Sequence, residues 1–222
     1  MTHKPEGLTA RAYALLRDAV IDGSLRPGEP LYEIHLADSL GMSRTPVREA
    51  LKVLTRDGYV EELPSRGYAV PRRSLDDMRE FFELREVLES TATRYEALRA
   101  TAAEMAQLER LCAQYEREKN DAKWAQLGHD FHNLLIKAAR NTRLETMLAS
   151  LNAQIVISRR TVACADDVRR RAAVRDHRAI FEAVLARDAG RAESLAAEHV
   201  RRSYETTLRA LVPDAFATHK TA

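Results

Sequence analysis

Apolar residues recur at intervals of three and four along most of this chain, the spacing that places them on one face of an α-helix. In the first third of the chain the pattern predicts three helices, over about residues 8–22, 33–40 and 43–56. Gly23 and Gly41 follow the first two helices, where glycine readily takes the positive φ of a helix C-terminus. Residues 25–31 contain two prolines and a glycine, so we expect a turn there.

A hairpin is predicted after the third helix. Two β-prone runs, residues 59–63 and 68–70, flank the segment 64–67, which contains a proline and a glycine. The hydroxyl residues at the start of the third helix can cap it, and a proline in its first turn is tolerated. Helix, turn, helix and hairpin in this order are typical of a winged helix-turn-helix, which makes this part a small α+β unit.

The rest of the chain is predicted to be helical throughout. Six helices are expected, over about residues 74–98, 101–119, 122–140, 143–162, 168–187 and 191–211. Thr101 and Glu104 match a capping box, and Gly190 is the expected break between the last two helices. The fold class is therefore mainly α, with an all-α bundle of six to seven helices after the winged unit. We expect a DNA-binding domain, a linker, a helical domain and a loose tail, at residues 1–72, 73–75, 76–212 and 213–222.

Composition narrows the class of protein. Hydrophobic residues make up 45% and charged residues 31% of the chain, which argues against a disordered protein. Two cysteines exclude a disulfide scaffold or a cysteine-rich zinc module. No apolar run reaches the ~18 residues of a membrane span, and the N-terminus has no signal-peptide pattern. We therefore expect a cytoplasmic protein with no membrane partner.

The net charge of +2 is too small to indicate a partner, so a nucleic-acid surface would have to be local. Such a surface is predicted on the third helix, where basic residues recur every fourth position: Arg44, Arg48, Lys52 and Arg56. Apolar residues such as Val47 and Leu51 lie on the opposite side and would anchor the helix. A helix that is basic outside and apolar inside suits the major groove of DNA, where arginine can bind guanine and lysine can bind phosphate. Arg66 and Gly67, at the hairpin tip, are placed to reach the minor groove or the backbone.

The stretch 36–51, LADSLGMSRTPVREAL, closely resembles the DNA-binding domain of the GntR family of bacterial transcription regulators. The flanking runs 23–28 and 54–60 match the same family, so the resemblance covers residues 8–70. It implies that Arg44, Thr45 and Arg48 contact DNA from the recognition helix, with Arg66 and Gly67 contacting it from the wing. The partner it implies is a double-stranded operator.

Residues 75–212 resemble the all-helical FCD sensor domain found in the FadR-like branch of that family. The resemblance rests on four short runs: residues 84–89, 131–141, 176–180 and 199–200. The family domain holds a divalent metal through one aspartate and three histidines, which implies His132, His177 and His199 as ligands of zinc, nickel or a similar ion. Each of these histidines also has apolar neighbours at helical spacing, so each is expected to point into the bundle.

This chain departs from the family at the aspartate. The aspartate lies four residues before the first histidine, and that position is Gly128 here. Asp130 is two residues before His132 and points ~160° away from it around a helix. We expect Gly128 to leave space in the site. Two interpretations stay open: a three-histidine metal site with free coordination positions, or a metal-free pocket whose histidines bind an anion directly.

The predicted effector is a small carboxylate. The family uses arginines in this pocket for carboxylate ligands, which implies Arg85, together with His132, His177 and His199, as effector-binding residues. The alternative for Arg85 is a surface salt bridge with Glu86 or Glu89. Asn141 is a further candidate for the effector site, although its position after an Ala-Ala-Arg run also suits a helix cap.

The function that follows is a metabolite-responsive transcriptional regulator, which we expect to be a homodimer that represses from a palindromic operator. Two alternatives belong to other classes. One is a metal-dependent enzyme that uses the three histidines, although the sequence offers no clear general acid or base beside them. The other is a constitutive DNA-binding protein with a vestigial sensor domain. We expect a regulator and not an enzyme.

Overall fold

The structure is a computed structural model that describes residues 7–64, 67–159 and 167–211. The chain divides into two compact units, Met1–Ser74 with Ala149–Arg160 and Leu75–Leu148 with Thr161–Ala222. The fold is mainly α with one small sheet, as the sequence predicts. Among the described helices, none is both long and apolar enough to span a bilayer.

Within the described residues up to Ser74, the first unit contains three short helices and three short strands. They are α1 (Leu8–Asp22), β1 (Pro30–Leu31), α2 (Glu33–Leu40), α3 (Arg44–Arg56), β2 (Glu61–Leu63) and β3 (Gly67–Ala69). Gly23, with φ 85°, ends α1, and Gly41, with φ 63°, ends α2, so both glycines have the predicted role. Ser43 is the N-cap residue of α3, but its side chain makes no capping hydrogen bond.

The sheet has one strand more than the sequence indicates. Its order is β1–β3–β2 and both pairings are antiparallel, with Ala69 opposite Pro30 on one side and Glu61 on the other. The prediction of a turn over 25–31 and a two-stranded hairpin is therefore incomplete. A strand of two residues has no readable alternation, and its pairing with β3 comes from the tertiary fold.

The core of the first unit joins one face of each helix to the sheet. Val47, Leu51 and Leu54 on α3 are fully buried, as is Val20 on α1, and all belong to one cluster. At ~25 cal/mol per Å² of apolar surface, burying such side chains is the main force that holds α3 in place. The opposite face of α3 is left to solvent.

The second unit is an all-helical bundle. Within the described residues it contains α4 (Leu75–Arg99), α5 (Ala102–Arg117), α6 (Asp121–Ala138), the first part of α7 (Thr142–Arg159), α8 (Asp167–Leu185) and α9 (Ala189–Leu211). The predicted capping box at Thr101 is present, since its hydroxyl accepts from the Glu104 amide and the Glu104 carboxylate accepts from the Thr101 amide. The predicted tail beyond residue 212 lies outside the described residues.

The break before α9 is not at Gly190, which lies in the first turn of that helix. The chain instead reverses at Arg187, a non-glycine residue with φ 58°. Arg187 donates to the carbonyl oxygens of Ala97 and Ala100, and Asp188 Oδ1 accepts from the Arg191 amide. These contacts hold the turn without a glycine, so the prediction that placed the break at Gly190 is wrong by a few residues.

Candidate functional site

The outer face of α3 presents its basic side chains to solvent. The side chains of Arg44, Arg48 and Lys52 are 66%, 49% and 58% exposed. Thr45 is exposed beside them at the start of the helix. Because Val47 and Leu51 are fully buried on the other face, α3 cannot rotate without losing its core contacts.

Acidic neighbours partner these cations only weakly. Glu33 lies 3.4 Å from Arg44, and Glu49 lies 3.0 Å from Lys52 and 3.9 Å from Arg48. Exposed pairs of this kind contribute about 0–1 kcal/mol, so the cations remain able to move to phosphate or base atoms. Of the predicted wing residues, Gly67 begins β3 and pairs with Leu63. Arg66 lies outside the described residues.

The three predicted histidines come together inside the second unit. His132 on α6, His177 on α8 and His199 on α9 each offer a ring nitrogen, and these nitrogens lie within 4.8 Å of one another. His177 is 2% exposed and His199 is 8% exposed, while the side chain of His132 is 12% exposed. The apolar faces read from the sequence therefore converge on one point in the bundle.

Aromatic rings hold His177 from both sides. The Tyr115 ring is stacked on it at 4.6 Å between centroids, and the Phe131 ring is stacked on its other face at 4.4 Å. The Nδ1 atom of His177 is buried and has no hydrogen-bond partner within the described part of the chain. A buried polar atom without a partner is costly, so it points to a ligand that completes the site.

Carboxylates approach the other two histidines. Asp176 Oδ2 is hydrogen-bonded to Nδ1 of His199 at 3.2 Å. Glu89 Oε1 lies 2.7 Å from Nδ1 of His132 but off the direction of the ring N–H, so that contact is electrostatic rather than an aligned hydrogen bond. From the sequence, Glu89 was named only as a salt-bridge partner of Arg85, and neither acid was assigned to the histidines, although Asp176 precedes His177 and Glu89 follows Arg85 by one helical turn.

Arg85 is buried and paired. It is 3% exposed, and its Nε donates to Oε2 of Glu89 at 2.7 Å. The alternative for Arg85, a surface salt bridge with Glu86 or Glu89, is therefore wrong about exposure, because the pair is buried, and right that Glu89 is a partner. Nη1 of Arg85 is buried and has no hydrogen-bond partner among residues 7–64, 67–159 and 167–211, which leaves one donor of the guanidinium available.

Gly128 does not leave space in the site, contrary to the expectation from the missing aspartate. A Cβ atom added at Gly128 would lie 3.1 Å from Cε2 of Tyr115. The tyrosine ring that stacks on His177 therefore occupies the room that a side chain at position 128 would need. An aspartate and this ring cannot both be accommodated without a shift of the ring.

Charge and burial set the protonation of the cluster. Burial, followed by the nearby His132 and His199, holds the pKa of His177 well below its ordinary value. Burial lowers the pKa of His199 to about 4, although its hydrogen bond with Asp176 opposes the shift. Burial would raise the pKa of Glu89, but Arg85 and His132 hold it well below the ordinary value. At neutral pH His177 and His199 are thus neutral, while the Glu89 carboxylate is ionised.

This donor set fits a divalent metal. Neutral imidazole nitrogen is a common ligand of zinc and nickel, and the buried Nδ1 of His177, which has no hydrogen-bond partner among the described residues, is consistent with a site completed by a bound ion. His132, His177 and His199 are the residues that would hold it.

Asn141 has a capping contact. Its Oδ1 accepts from the amide of Leu144 at 3.2 Å, at the start of α7. Its contact with an effector stays a prediction.

Comparison with known proteins agrees with both units. Residues 8–70 match the model of the bacterial regulatory proteins of the gntR family, and residues 80–202 match the model of the FCD domain. The chain is 31% identical over 205 residues to the HTH-type transcriptional regulator BphR of Paraburkholderia xenovorans, covering 88% of this chain and 83% of BphR. It is 28% identical over 199 residues to the HTH-type transcriptional repressor RspR of Escherichia coli, covering 87% and 86%.

The fold also has a solved counterpart. The structure of Escherichia coli McbR/YncC matches with a TM-score of 0.80 at 23% identity, over 93% of this chain and 100% of that one. With a matched helix-turn-helix model, a matched FCD model and relatives that are HTH-type regulators, the chain belongs to the GntR family of bacterial transcriptional regulators, in the group that carries an FCD domain.

Proposed function

We propose that this protein is a metabolite-responsive repressor that binds a palindromic operator as a homodimer and is switched by a small organic acid. The observation that supports an effector site is the group of three buried histidines beside Arg85, whose Nη1 has no hydrogen-bond partner among the described residues. A dimer would bring two α3 helices to half-sites about one helical turn apart. The cytoplasm is the compartment that this role requires.

Repression is the mode that the relatives favour, because RspR is named as a transcriptional repressor. The effector must favour one arrangement of the DNA-binding units over another, since a ligand with equal affinity for both arrangements shifts nothing. Binding of the acid and binding of DNA are then linked by one coupling free energy, so the acid lowers the affinity for DNA by the same factor as DNA lowers the affinity for the acid.

The chemistry of the pocket suits a carboxylate. Arg85 holds Glu89 through Nε and has Nη1 free to donate to a second anion. His132, His177 and His199 would hold a divalent cation such as Zn²⁺ or Ni²⁺. When bound, that cation supplies a Lewis-acid centre with coordination positions open to a carboxylate oxygen.

The test is a thermal-shift screen of organic acids with and without Zn²⁺, followed by gel shifts on the promoter region of the protein's own gene. A ligand that binds only the folded state raises its stability, so an effector is recognised by a higher Tm. The same acid should change the DNA affinity of wild type. Arg85→Lys should blunt the response, whereas Arg79→Lys, at an exposed position on the same helix, should leave it intact.

Two outcomes would contradict the proposal. DNA binding that no acid alters would favour a constitutive DNA-binding protein. Turnover of an ester or amide that depends on Zn²⁺ and on His177 would favour a metal-dependent enzyme, which the buried three-histidine group by itself would also suit.

A further inference from the structure

Two of the three clustered imidazoles have a carboxylate at the same ring nitrogen. Nδ1 of His199 is hydrogen-bonded to Oδ2 of Asp176 at 3.2 Å, and Nδ1 of His132 lies 2.7 Å from Oε1 of Glu89. A carboxylate beside Nδ1 favours the tautomer that carries the proton on that nitrogen, which leaves the Nε2 lone pair to bind a metal.

An arginine fixes each of these carboxylates. Arg85 donates through Nε to the second oxygen of Glu89 at 2.7 Å. Arg202 binds Asp176 through two nitrogens, at 3.0 Å to each oxygen. The same order of contacts, arginine to carboxylate to imidazole, occurs twice: in Arg85–Glu89–His132 and in Arg202–Asp176–His199. One side of each carboxylate is bound by an arginine, and the other side contacts an imidazole.

His177 is positioned by ring stacking and not by a carboxylate. Stacked rings of Tyr115 and Phe131 cover its two faces, and its Nδ1 has no hydrogen-bond partner. Its orientation therefore depends on packing, while that of the other two histidines depends on charge.

We propose that Glu89 and Asp176 are positioning residues of the three-histidine site, each occupying Nδ1 so that His132 and His199 present Nε2 to a shared divalent cation. This inference rests on the metal-assisted site of the proposed function. It also accounts for Gly128. The negative charge that α6 lacks at that position is supplied from α4 by Glu89, which reaches the cluster through His132 rather than as a direct ligand.

The first measurement needs neither metal nor DNA. Two-bond ¹H–¹⁵N correlation spectra of the metal-free full-length protein report which ring nitrogen carries the proton. We expect the Nδ1–H tautomer at His199 and His132. Protons on Nε2 at both residues would overturn the inference even if DNA binding and the response to acids are as proposed. Absent DNA binding beside the expected tautomers would instead overturn the proposed function.

The second measurement is Zn²⁺ affinity by calorimetry. Asp176→Asn and Glu89→Gln should each weaken Zn²⁺ binding by about 10–100-fold, the usual effect of removing the partner of a ligating histidine. Glu198→Gln is the matched control for Asp176, because Glu198 also pairs with Arg202 but sits on the exposed side of that pair. Glu86→Gln is the control for Glu89, because Glu86 lies on the same helix and pairs with Arg201.

The variants also separate positioning from folding. Glu89 is buried with Arg85, so Glu89→Gln can lower stability, whereas Asp176 lies nearer the surface. Asp176→Asn with a wild-type Tm, weakened Zn²⁺ binding and a changed His199 tautomer supports the inference. Wild-type Zn²⁺ affinity in both variants, no Zn²⁺ binding by wild type, or a Zn²⁺-induced ¹⁵N shift at Nδ1 of His132 would each overturn it.

Discussion

Glu96 on α4 is a fully buried acid. Neither of its carboxylate oxygens has a hydrogen-bond partner among the residues that the structure describes. Burial, with a smaller contribution from Glu104, raises its pKa to about 8. The folded protein therefore keeps Glu96 neutral at pH 7, whereas the unfolded chain ionises it at its ordinary pKa of 4.5. In that interval the folded state binds more protons, so stability falls as pH rises.

The prediction is that Glu96→Gln is less sensitive to pH than wild type. Glu96 should cost wild type about 3 kcal/mol of unfolding free energy between pH 4.5 and pH 7, and the loss should level off above pH 8. Urea unfolding of both proteins from pH 5 to pH 8 measures the difference. Glu109→Gln, at an exposed position, is the control. Parallel curves for wild type and Glu96→Gln would contradict the raised pKa.

At the scale of a single helix, α3 separates stability from recognition. Its buried face holds the helix in the core, while Arg44 and Arg48 point to solvent. We expect Arg48→Ala to weaken operator binding by about 1–3 kcal/mol and relax its specificity, as for a lost base contact. The unfolding free energy should change by no more than about 0.5 kcal/mol.

Footprinting on the promoter region of the protein's own gene, beside urea unfolding, measures both effects. Arg79→Ala removes an exposed arginine from α4 and should leave the footprint unchanged. An unaltered footprint for both Arg44→Ala and Arg48→Ala would show that another surface reads the DNA.

Most of the helices were predictable from the sequence because apolar residues recur at helical spacing and several helix ends have recognisable capping residues. The capping box at Thr101 and the glycine at position 41 mark boundaries through local chemistry. The strand Pro30–Leu31 was missed because two residues are too few to show an alternation of apolar and polar positions. The end of α8 was misplaced because Arg187 has a positive φ, which is usual for glycine. Local rules cannot anticipate an element whose stability comes from contacts distant in sequence.

The candidate site was predictable in part: its histidines could be named from the sequence, but their contacts with residues of other helices could not. The three histidines were named because the short runs around them resemble the FCD domain, and their apolar neighbours at helical spacing indicated that each points into the bundle. The contact of Glu89 with His132 and that of the Tyr115 ring with Gly128 were not foreseen, because they join α4 to α6 and α5 to α6. A contact between two helices does not change the spacing of apolar residues along either helix, so the sequence pattern does not reveal it.

At the scale of the whole molecule, α4 carries an exposed apolar stripe that a second copy would cover. Leu84, Val87 and Leu98 lie on one side of the helix and are 44%, 62% and 59% exposed. A stable dimer buries roughly 800 Å² on each partner, and large apolar side chains usually form its centre. The stripe is therefore the surface through which we expect the homodimer to form.

Sedimentation of the full chain should give a dimer at micromolar concentration. Val87→Glu with Leu98→Glu should shift it toward monomer, because a dimer would bury two unpaired charges on each side. Met147→Glu, at another exposed apolar position, should leave the dimer unchanged. A dimer that survives both substitutions on α4 would move the interface to another surface.

The stacked rings beside His177 have an optical consequence. Trp124, the single tryptophan of the chain, stacks on Tyr115 at 4.6 Å, and Tyr115 in turn stacks on His177. The Arg170 guanidinium lies 4.9 Å from the indole centroid. Tryptophan fluorescence therefore comes from one indole, which is separated from His177 by the ring of Tyr115.

Titration with Zn²⁺ should change the emission of Trp124 in wild type, because a charge placed on His177 alters the electric field along the stack. His177→Ala should remove the response, and an unchanged wild-type spectrum at saturating Zn²⁺ would contradict the coupling. The stacked rings that position His177 would also report Zn²⁺ binding, so occupancy of the site could be followed through Trp124 fluorescence in the unlabelled protein.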